Sequence, residues 1–282
     1  MQLTEAHSKA KNKVKHASTN PKPWIRRFAQ IGYFSKGAVY ILVGILSLMA
    51  ALGIGGKTSD TSGVFSTLAS KPFGEILIWL IAIGLIGYVM WRLIQVIKDP
   101  EQEGTDLKGI FIRVAYLISG IIYGSLAFKA ITIALHAGNS SGNSEQSTSA
   151  KLLSQPFGQW LVGILGLIII GYGIYEFYNA YKEKFAEKFK VSEMNKHEIR
   201  IGKKAGKIGL SARGIVLSII GYFFIRTALT ADPDQAKGMD GALAEIAQEP
   251  FGQWMLGLVA IGLILYGVYL VIKGRYRHMN IG

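Results

Sequence analysis

The apolar residues of this chain are gathered into six long blocks, which are separated by polar and basic segments. The blocks cover residues 37–56, 76–91, about 114–137, 152–175, about 208–231 and 250–272. A helix rises about 1.5 Å per residue, so blocks of about twenty residues can cross a hydrocarbon core of about 30 Å. None of the blocks has the polar face, repeating every 3.6 residues, that a soluble helix bundle requires. The pattern therefore predicts an all-α integral membrane protein with six transmembrane helices.

A threefold repeat underlies these blocks. Pro-Phe-Gly precedes every second block, a tyrosine lies sixteen residues after each proline, and a glycine lies 35 or 36 residues before it. The motifs are Pro72-Phe73-Gly74, Pro156-Phe157-Gly158 and Pro250-Phe251-Gly252, with the tyrosines Tyr88, Tyr172 and Tyr266 and the glycines Gly37, Gly120 and Gly214. Each copy contains two apolar blocks, as expected of a tandem array of one structural unit.

The recurrence predicts a division of the chain into five parts. They are a basic cytoplasmic tail at 1–24, repeat one at 25–100, repeat two at 107–185, a cytoplasmic linker at 186–200 and repeat three at 201–279. Because each repeat has an even number of spans, all three have the same orientation in the membrane. We therefore predict three parallel two-helix repeats around a pseudo-threefold axis.

The connections between the spans contain further helical signals. Phe185 and Phe189, four residues apart, predict that the fourth helix continues along the membrane surface. A short segment with apolar spacing precedes each Pro-Phe-Gly motif and predicts an interfacial half-helix on the outer surface. These segments contain Phe65 and Leu68, Leu152 and Leu153, and Leu243 and Ile246.

The formal net charge of +13 is distributed unevenly between the two sides of the predicted bundle. One side has 25 Lys and Arg, in residues 1–36, 92–113, 176–213 and 273–282, and the connections on the other side have 4. Positive charge is retained on the cytoplasmic side, so we expect both termini to be cytoplasmic in a multi-pass protein of the cell (inner) membrane. The basic excess then predicts attraction to anionic lipid headgroups at the cytoplasmic face. No basic face interleaved with aromatic residues indicates a nucleic-acid partner.

The sequence contains neither a recognisable cleavable signal peptide nor a cysteine. Residues 1–36 are polar and basic rather than a cleavable signal peptide, so we expect the first span to act as its own targeting signal. The chain has no cysteine, which removes disulfides and thiolate metal sites.

Small residues recur every seven positions along the odd-numbered helices. The stripe consists of Gly37, Gly44 and Ala51, then Gly120, Ala127 and Ala134, then Gly214, Gly221 and Ala228. Ala82, Gly166 and Ala260 share one position on the even-numbered helices. Lipid provides no hydrophobic drive between spans, so close approach at small residues is the usual basis of their packing. We predict a helix-packing role for this stripe.

The Pro-Phe-Gly motif predicts the entry of each even-numbered helix, with proline near the first turn. Trp160 and Trp254 follow two of the prolines by four residues and predict an outer aromatic belt. Four tyrosines predict an inner belt: Tyr33, Tyr40, Tyr116 and Tyr123.

Lys129 and Arg226 are the charged residues that the sequence singles out as candidate solute, anion or lipid contacts. They share roughly one face of their helices, away from the small stripe. An intramembrane charge points to function by default, but both side chains can also snorkel to the outer interface. Glu176, at the inner end of an even-numbered helix, is expected to be a paired interfacial carboxylate, with Arg113 or Lys207 as its partner.

The sequence offers no basis for catalysis. Four of the five histidines fall in predicted tails and loops, and His136 stands alone, so no pair could ligate a haem or a zinc ion. No nucleophile, zinc-protease or phosphate-loop motif occurs. We therefore expect neither an enzyme nor a bound cofactor.

The repeated motifs resemble a bacterial membrane family known as domain of unknown function 1206. The resemblance rests on Gly32-Tyr33, Lys36-Gly37, Val39-Tyr40 and Gly84–Tyr88, and on the three Pro-Phe-Gly motifs. It covers residues 25–279 and implies three copies of a two-span unit, without an assigned activity. Mitochondrial carriers also have three parallel two-span repeats, but no odd-numbered helix here contains the proline of their signature.

Two functions remain after this reading. The first is a non-enzymatic membrane scaffold that binds lipids or an unidentified membrane protein partner. The alternative is a small-solute or anion channel or transporter with a path between the three hairpins, lined by Lys129 and Arg226. The sequence favours the first, because it offers no midplane coordinating site and no broken helix of the transporter kind.

Overall fold

A computed structural model describes residues 23–54, 65, 67–69, 73–99, 104–135, 144–155, 157–189 and 191–276. Its main helices are α1 (Pro23–Ala51), α2 (Gly74–Lys98), α3 (Leu107–Ala134), α4 (Ser144–Leu153), α5 (Gly158–Tyr181), α6 (Lys196–Thr230), α7 (Met239–Gln248) and α8 (Gly252–Tyr276). Within the described residues there is no strand. The predicted tail at 1–24 falls almost wholly outside them, as do Pro72 and Pro156.

Six of these helices are long and apolar enough to cross a membrane, which confirms the predicted six-span, all-α class. They are α1, α2, α3, α5, α6 and α8. α6 is the longest, at 35 residues, because it begins at Lys196 and extends beyond its apolar block. The helices alternate in direction, so α1 begins and α8 ends on the same side of the bundle. We call this the basic side.

The predicted continuation of the fourth helix along the membrane surface is wrong. α5 ends at Tyr181, and Glu183 has a positive φ of 52°, which the helix cannot continue through. Two 3₁₀ turns follow, at Lys184–Lys188 and Val191–Glu193. Phe185 and Phe189 are buried there, and both rings contact Tyr269 of α8 rather than the membrane surface.

The Phe-Gly part of each Pro-Phe-Gly motif lies at the predicted helix entry, with the same backbone geometry in all three repeats. Each phenylalanine has a φ of 61° and directly precedes the helix, which begins at the following glycine. A positive φ is rare for a bulky residue and indicates a constrained backbone. The constraint comes from the following glycine: a Cβ at Gly74 or Gly158 would lie 1.7 or 2.1 Å from the carbonyl oxygen of Leu68 or Leu152. The half-helix therefore rests directly on the start of the next span.

The six spans pack side by side in the order α3, α2, α1, α8, α6, α5. This is the order of a ring of six spans. In such a ring the first span of each repeat contacts the second span of its own repeat and the second span of the preceding repeat. One interface of the ring is missing. Among the described residues, α3 and α5, the two spans of repeat two, have no packing interface like those of the other neighbours. The ring is therefore open on one side, and a closed threefold arrangement is not observed.

The small-residue stripe lies at the interfaces between repeats. A Cβ at Gly37 would lie 2.8 Å from the carbonyl oxygen of Gly267, and one at Gly214 would lie 2.9 Å from that of Gly173. The α2–α3 interface is looser, because Val89 stands where the other repeats have Gly173 and Gly267. A Cβ at Gly120 would find its nearest neighbour, Arg92 Cβ, at 3.4 Å. The size of the side chain at this position of the second span therefore sets the separation between neighbouring repeats. We call each of these interfaces between repeats a glycine seam.

A second set of glycines explains why two hairpins are closed and one is open. A Cβ at Gly32 or Gly209 would lie 2.5 Å from the Cα of Tyr88 or Tyr266, on the other span of the same repeat. Gly84 and Gly262 make similarly close contacts with α1 and α6: a Cβ there would lie 1.6 Å from Ser35 Oγ or 2.3 Å from Ala212 Cβ. Repeat two has Ala115 and Ile168 at the corresponding positions. Their side chains occupy the space in which backbones meet in repeats one and three.

Candidate functional site at the centre of the bundle

Three basic side chains and one carboxylate from four different spans converge inside the ring. They are Lys36 of α1, Arg92 of α2, Glu176 of α5 and Arg213 of α6. Arg92, Arg213 and Glu176 are the charged groups that act electrostatically on Lys36. Lys36 lies seven residues into the span that begins at Ala29, so it is about 10 Å from the basic-side end of that span. We call this group the central cluster.

Arg213 and Glu176 form the ion pair of the cluster. Arg213 Nη1 donates to Glu176 Oε1 and, at 3.3 Å, to the hydroxyl of Tyr172. The side chains are 13% and 4% exposed, respectively. The guanidinium also lies over the rings of Tyr172 and Tyr266, at 5.3 and 5.2 Å from their centroids. Arg213 Nε is buried without a hydrogen-bond acceptor among the described residues.

Arg92 is held by neutral groups. Its Nε donates to the hydroxyl of Tyr88 at 2.8 Å, and Nη1 donates to Gln95 Oε1 at 2.9 Å. The guanidinium lies 4.9 Å from the ring centroids of both Tyr88 and Tyr116. In the described part of the chain, no carboxylate lies within ion-pair distance of Arg92.

Lys36 is the most deeply buried cation of the cluster, with 4% of its surface exposed. Its Nζ lies 4.3 Å from the ring centroid of Tyr123 and 5.0 Å from that of Tyr88. Its hydrogen bond to the Tyr88 hydroxyl is long, at 3.4 Å, and no described carboxylate pairs with it. Cation–π contacts compensate only part of the cost of burying an ammonium group.

The tyrosine found sixteen residues after each proline lines this site in all three repeats. Tyr88 accepts hydrogen bonds from Arg92 and Lys36, Tyr172 accepts one from Arg213, and Tyr266 presents its ring to Arg213. The predicted inner aromatic belt is instead largely internal: Tyr33 and Tyr40 are buried, and Tyr116 and Tyr123 face Arg92 and Lys36. The repeated tyrosines therefore form a shared aromatic lining around the cations.

The residues that the sequence singled out lie elsewhere. Arg226 is exposed on α6, and Lys129 is half-buried on α3; neither belongs to the central cluster. The expected partners of Glu176 are wrong, since it pairs with Arg213, while Arg113 pairs with Asp99 at 2.8 Å. Within the described ranges no three His, Asp or Glu side chains come together as a metal-binding group.

The repeat positions of the cluster residues indicate a shared site, although counting charges on each side of the membrane does not reveal it. Lys36, Arg92 and Arg213 each lie at the edge of a basic segment, so the charge distribution groups them with the loop residues of the cytoplasmic side. Their repeat positions are more informative. Lys36 and Arg213 directly precede the repeated glycines Gly37 and Gly214. Arg92 and Glu176 occupy the same position in the second span of their repeats.

Comparison with known proteins agrees with the repeat structure. Residues 31–99, 114–183 and 208–277 each match the family described as Domain of Unknown Function (DUF1206). The chain belongs to this family. A relative described as "Uncharacterized protein YxxB" of Bacillus subtilis (strain 168) is 46% identical over 259 residues, covering 92% of this chain and 94% of the relative. No solved structure matches the chain.

Proposed function

We propose that this protein is a non-enzymatic, multi-pass protein of the bacterial cell membrane that binds an anionic ligand at the central cluster. The observation that carries the proposal is Lys36, a buried ammonium group without a carboxylate partner among the described residues. In the described part of the chain, Arg92 also lacks such a partner, and Arg213 Nε has no acceptor. The cluster thus has three cations and one anion.

Uncompensated cations inside a membrane protein are costly, and an unpaired one still costs several kcal/mol after relaxation. A ligand with an anionic oxygen group would offset this cost and supply acceptors to Lys36 Nζ and Arg213 Nε. Guanidinium groups hold carboxylate or phosphate oxygens well, because several donors lie in one plane. The chemistry of the cluster therefore favours a carboxylate or phosphate group.

The position of the cluster favours binding over conduction. It lies about 10 Å from the basic-side end of spans that are about 35 Å long, so it is well short of the midplane. Toward the opposite side the described core is mostly apolar: Phe65, Phe223, Leu243 and Leu256 are buried there, together with the small hydroxyl groups of Ser47 and Thr227. A path for an anion through the whole membrane would need polar groups along its length.

Anion binding can be measured as stabilisation of the purified full-length protein by inorganic phosphate, at constant ionic strength. A ligand at 100 times its Kd stabilises the folded state by about 2.7 kcal/mol. We expect phosphate to raise the melting temperature of the wild type and of Lys129→Met, and to lose this effect in Lys36→Met. Lys36→Met should not destabilise the phosphate-free protein, because it replaces an unpaired buried charge with an apolar side chain. Equal phosphate responses in all three proteins would contradict the proposal.

We further propose that both termini are cytoplasmic, on the evidence of the charge asymmetry. The asymmetry does not depend on the cluster, since most of the basic residues on that side lie outside the spans. Reporter fusions after residues 57, 143 and 237 should show an external location, and fusions after residues 104 and 195 a cytoplasmic one. A cytoplasmic result at residue 143 would overturn this topology.

A further inference from the structure

The opening between α3 and α5 separates two spans that both reach the central cluster. Tyr116 and Tyr123 of α3 lie over Arg92 and Lys36, while Tyr172 and Glu176 of α5 contact Arg213. The walls of the opening thus include groups that touch all three cations. The two spans are also the least covered by protein: 22% of their most apolar stretch is buried, against 44–50% for the other four.

The walls of the opening carry apolar side chains where the closed hairpins carry small ones. Ile118 and Ile168 are 52% and 62% exposed, and they occupy the positions of Ser35 and Gly84 in repeat one. In a bilayer, space between two spans is filled by protein or by lipid chains. These isoleucines offer an apolar surface to an acyl chain on the two spans that also reach the central cluster.

We propose that the occupant of this opening is a phospholipid with a net negative headgroup, drawn from the basic-side leaflet. Its phosphate contacts Lys36 Nζ and Arg213 Nε, and its acyl chains lie along Ile118 and Ile168. This inference rests on the proposed anion site and names the ligand that the site takes. Arg213 and Glu176 neutralise each other, so Lys36 and Arg92 remain to attract one anionic headgroup.

The depth of the cluster fits a lipid phosphate better than a soluble anion. A bilayer is about 40–45 Å thick with its headgroups, and its hydrocarbon core is about 30 Å thick. A site about 10 Å from the end of a span about 35 Å long lies only several ångströms inside the hydrocarbon boundary. A headgroup can settle to that depth through a lateral opening while its acyl chains remain in the membrane.

The experiment compares lipid retention by native mass spectrometry of the full-length protein, purified from mixed vesicles of phosphatidylglycerol and phosphatidylcholine. We expect one retained phosphatidylglycerol per wild-type chain. Lys36→Met should lower its retention at least about tenfold, as expected for loss of one partner of a buried charged contact. Lys129→Met, which removes a cation outside the cluster, should leave retention unchanged. Equal retention of both lipids, or equal retention by Lys36→Met, would overturn the inference.

The route through the opening is tested by a matched pair of substitutions on α5. Ile168→Trp places a large side chain in the opening, whereas Leu167→Trp changes a neighbour that is equally exposed, at 62%, on another face of the helix. We expect Ile168→Trp alone to reduce retention of phosphatidylglycerol. A thermal unfolding transition first establishes that both variants are folded. Equal retention of phosphatidylglycerol by the two folded variants would then show that the lipid does not occupy the opening.

The outcomes separate this inference from the proposed function. Stabilisation by inorganic phosphate without retention of phosphatidylglycerol would keep the anion site and overturn the lipid. Absence of both would overturn both. Retention of phosphatidylglycerol that depends on Lys36 and on residue 168 would support both.

Discussion

Replacing Glu176 with glutamine is expected to destabilise the folded protein by about 3–5 kcal/mol, the usual effect of removing one partner of a buried ion pair. The substitution preserves the size of the side chain but leaves Arg213 without its carboxylate. It also leaves three cations, Lys36, Arg92 and Arg213, without any compensating charge in the cluster. Thermal or denaturant unfolding of the purified protein in detergent measures the effect.

The exposed ion pair between Glu183 and Lys203 provides the matched control. Their side chains are 40% and 47% exposed, and the Oε2–Nζ distance is 3.2 Å. Water screens such a pair, so Glu183→Gln should cost no more than about 1 kcal/mol. Equal losses for Glu176→Gln and Glu183→Gln would show that the central ion pair is not effectively buried.

Glu176→Gln also connects stability to the proposed ligand. Because the variant cluster has one positive charge more than the wild type, an anion should bind to it more tightly. Inorganic phosphate is therefore expected to raise the melting temperature of Glu176→Gln more than that of the wild type. A smaller shift in the variant would contradict an anion site at these residues.

The second large effect is expected at the glycine seams. A Cβ at Gly44 or Gly221 would lie 2.7 Å from the carbonyl oxygen of Ala260 or Gly166, so the neighbouring backbone must move to accept any side chain. Gly44→Leu and Gly221→Leu should each cost about 1–3 kcal/mol through overpacking, and more if the helices cannot separate. The loss of melting temperature in detergent gives the measure.

Two other glycines provide a control and an intermediate case for this prediction. Gly171 has no atom within 4 Å of a built Cβ, so Gly171→Leu should leave stability nearly unchanged. Gly120 belongs to the looser α2–α3 seam, and Gly120→Leu should have an intermediate effect. Similar melting temperatures for the variants at Gly44, Gly120 and Gly171 would show that close helix contact at these glycines does not determine stability.

The open hairpin shows how repeats that share one motif can give unequal structures. Gly32 and Gly84 allow the two spans of repeat one to meet at their backbones, and Gly209 and Gly262 do the same in repeat three. Ala115 and Ile168 replace that pair in repeat two. Two side chains at one interface are enough to separate two helices, because spans in lipid associate through close packing rather than through a hydrophobic drive.

The sequence by itself determined the six spans, their grouping into three repeats and the half-helices before each Pro-Phe-Gly motif. These features depend on local apolar length and on recurrence, which neighbouring residues specify. Only the tertiary structure decided that Phe185 and Phe189 turn into the core, since a four-residue spacing fits a surface helix equally well. The same holds for the central cluster. Lys36, Arg92, Glu176 and Arg213 are far apart in the chain, and the order of the spans around the ring is what brings their charges together.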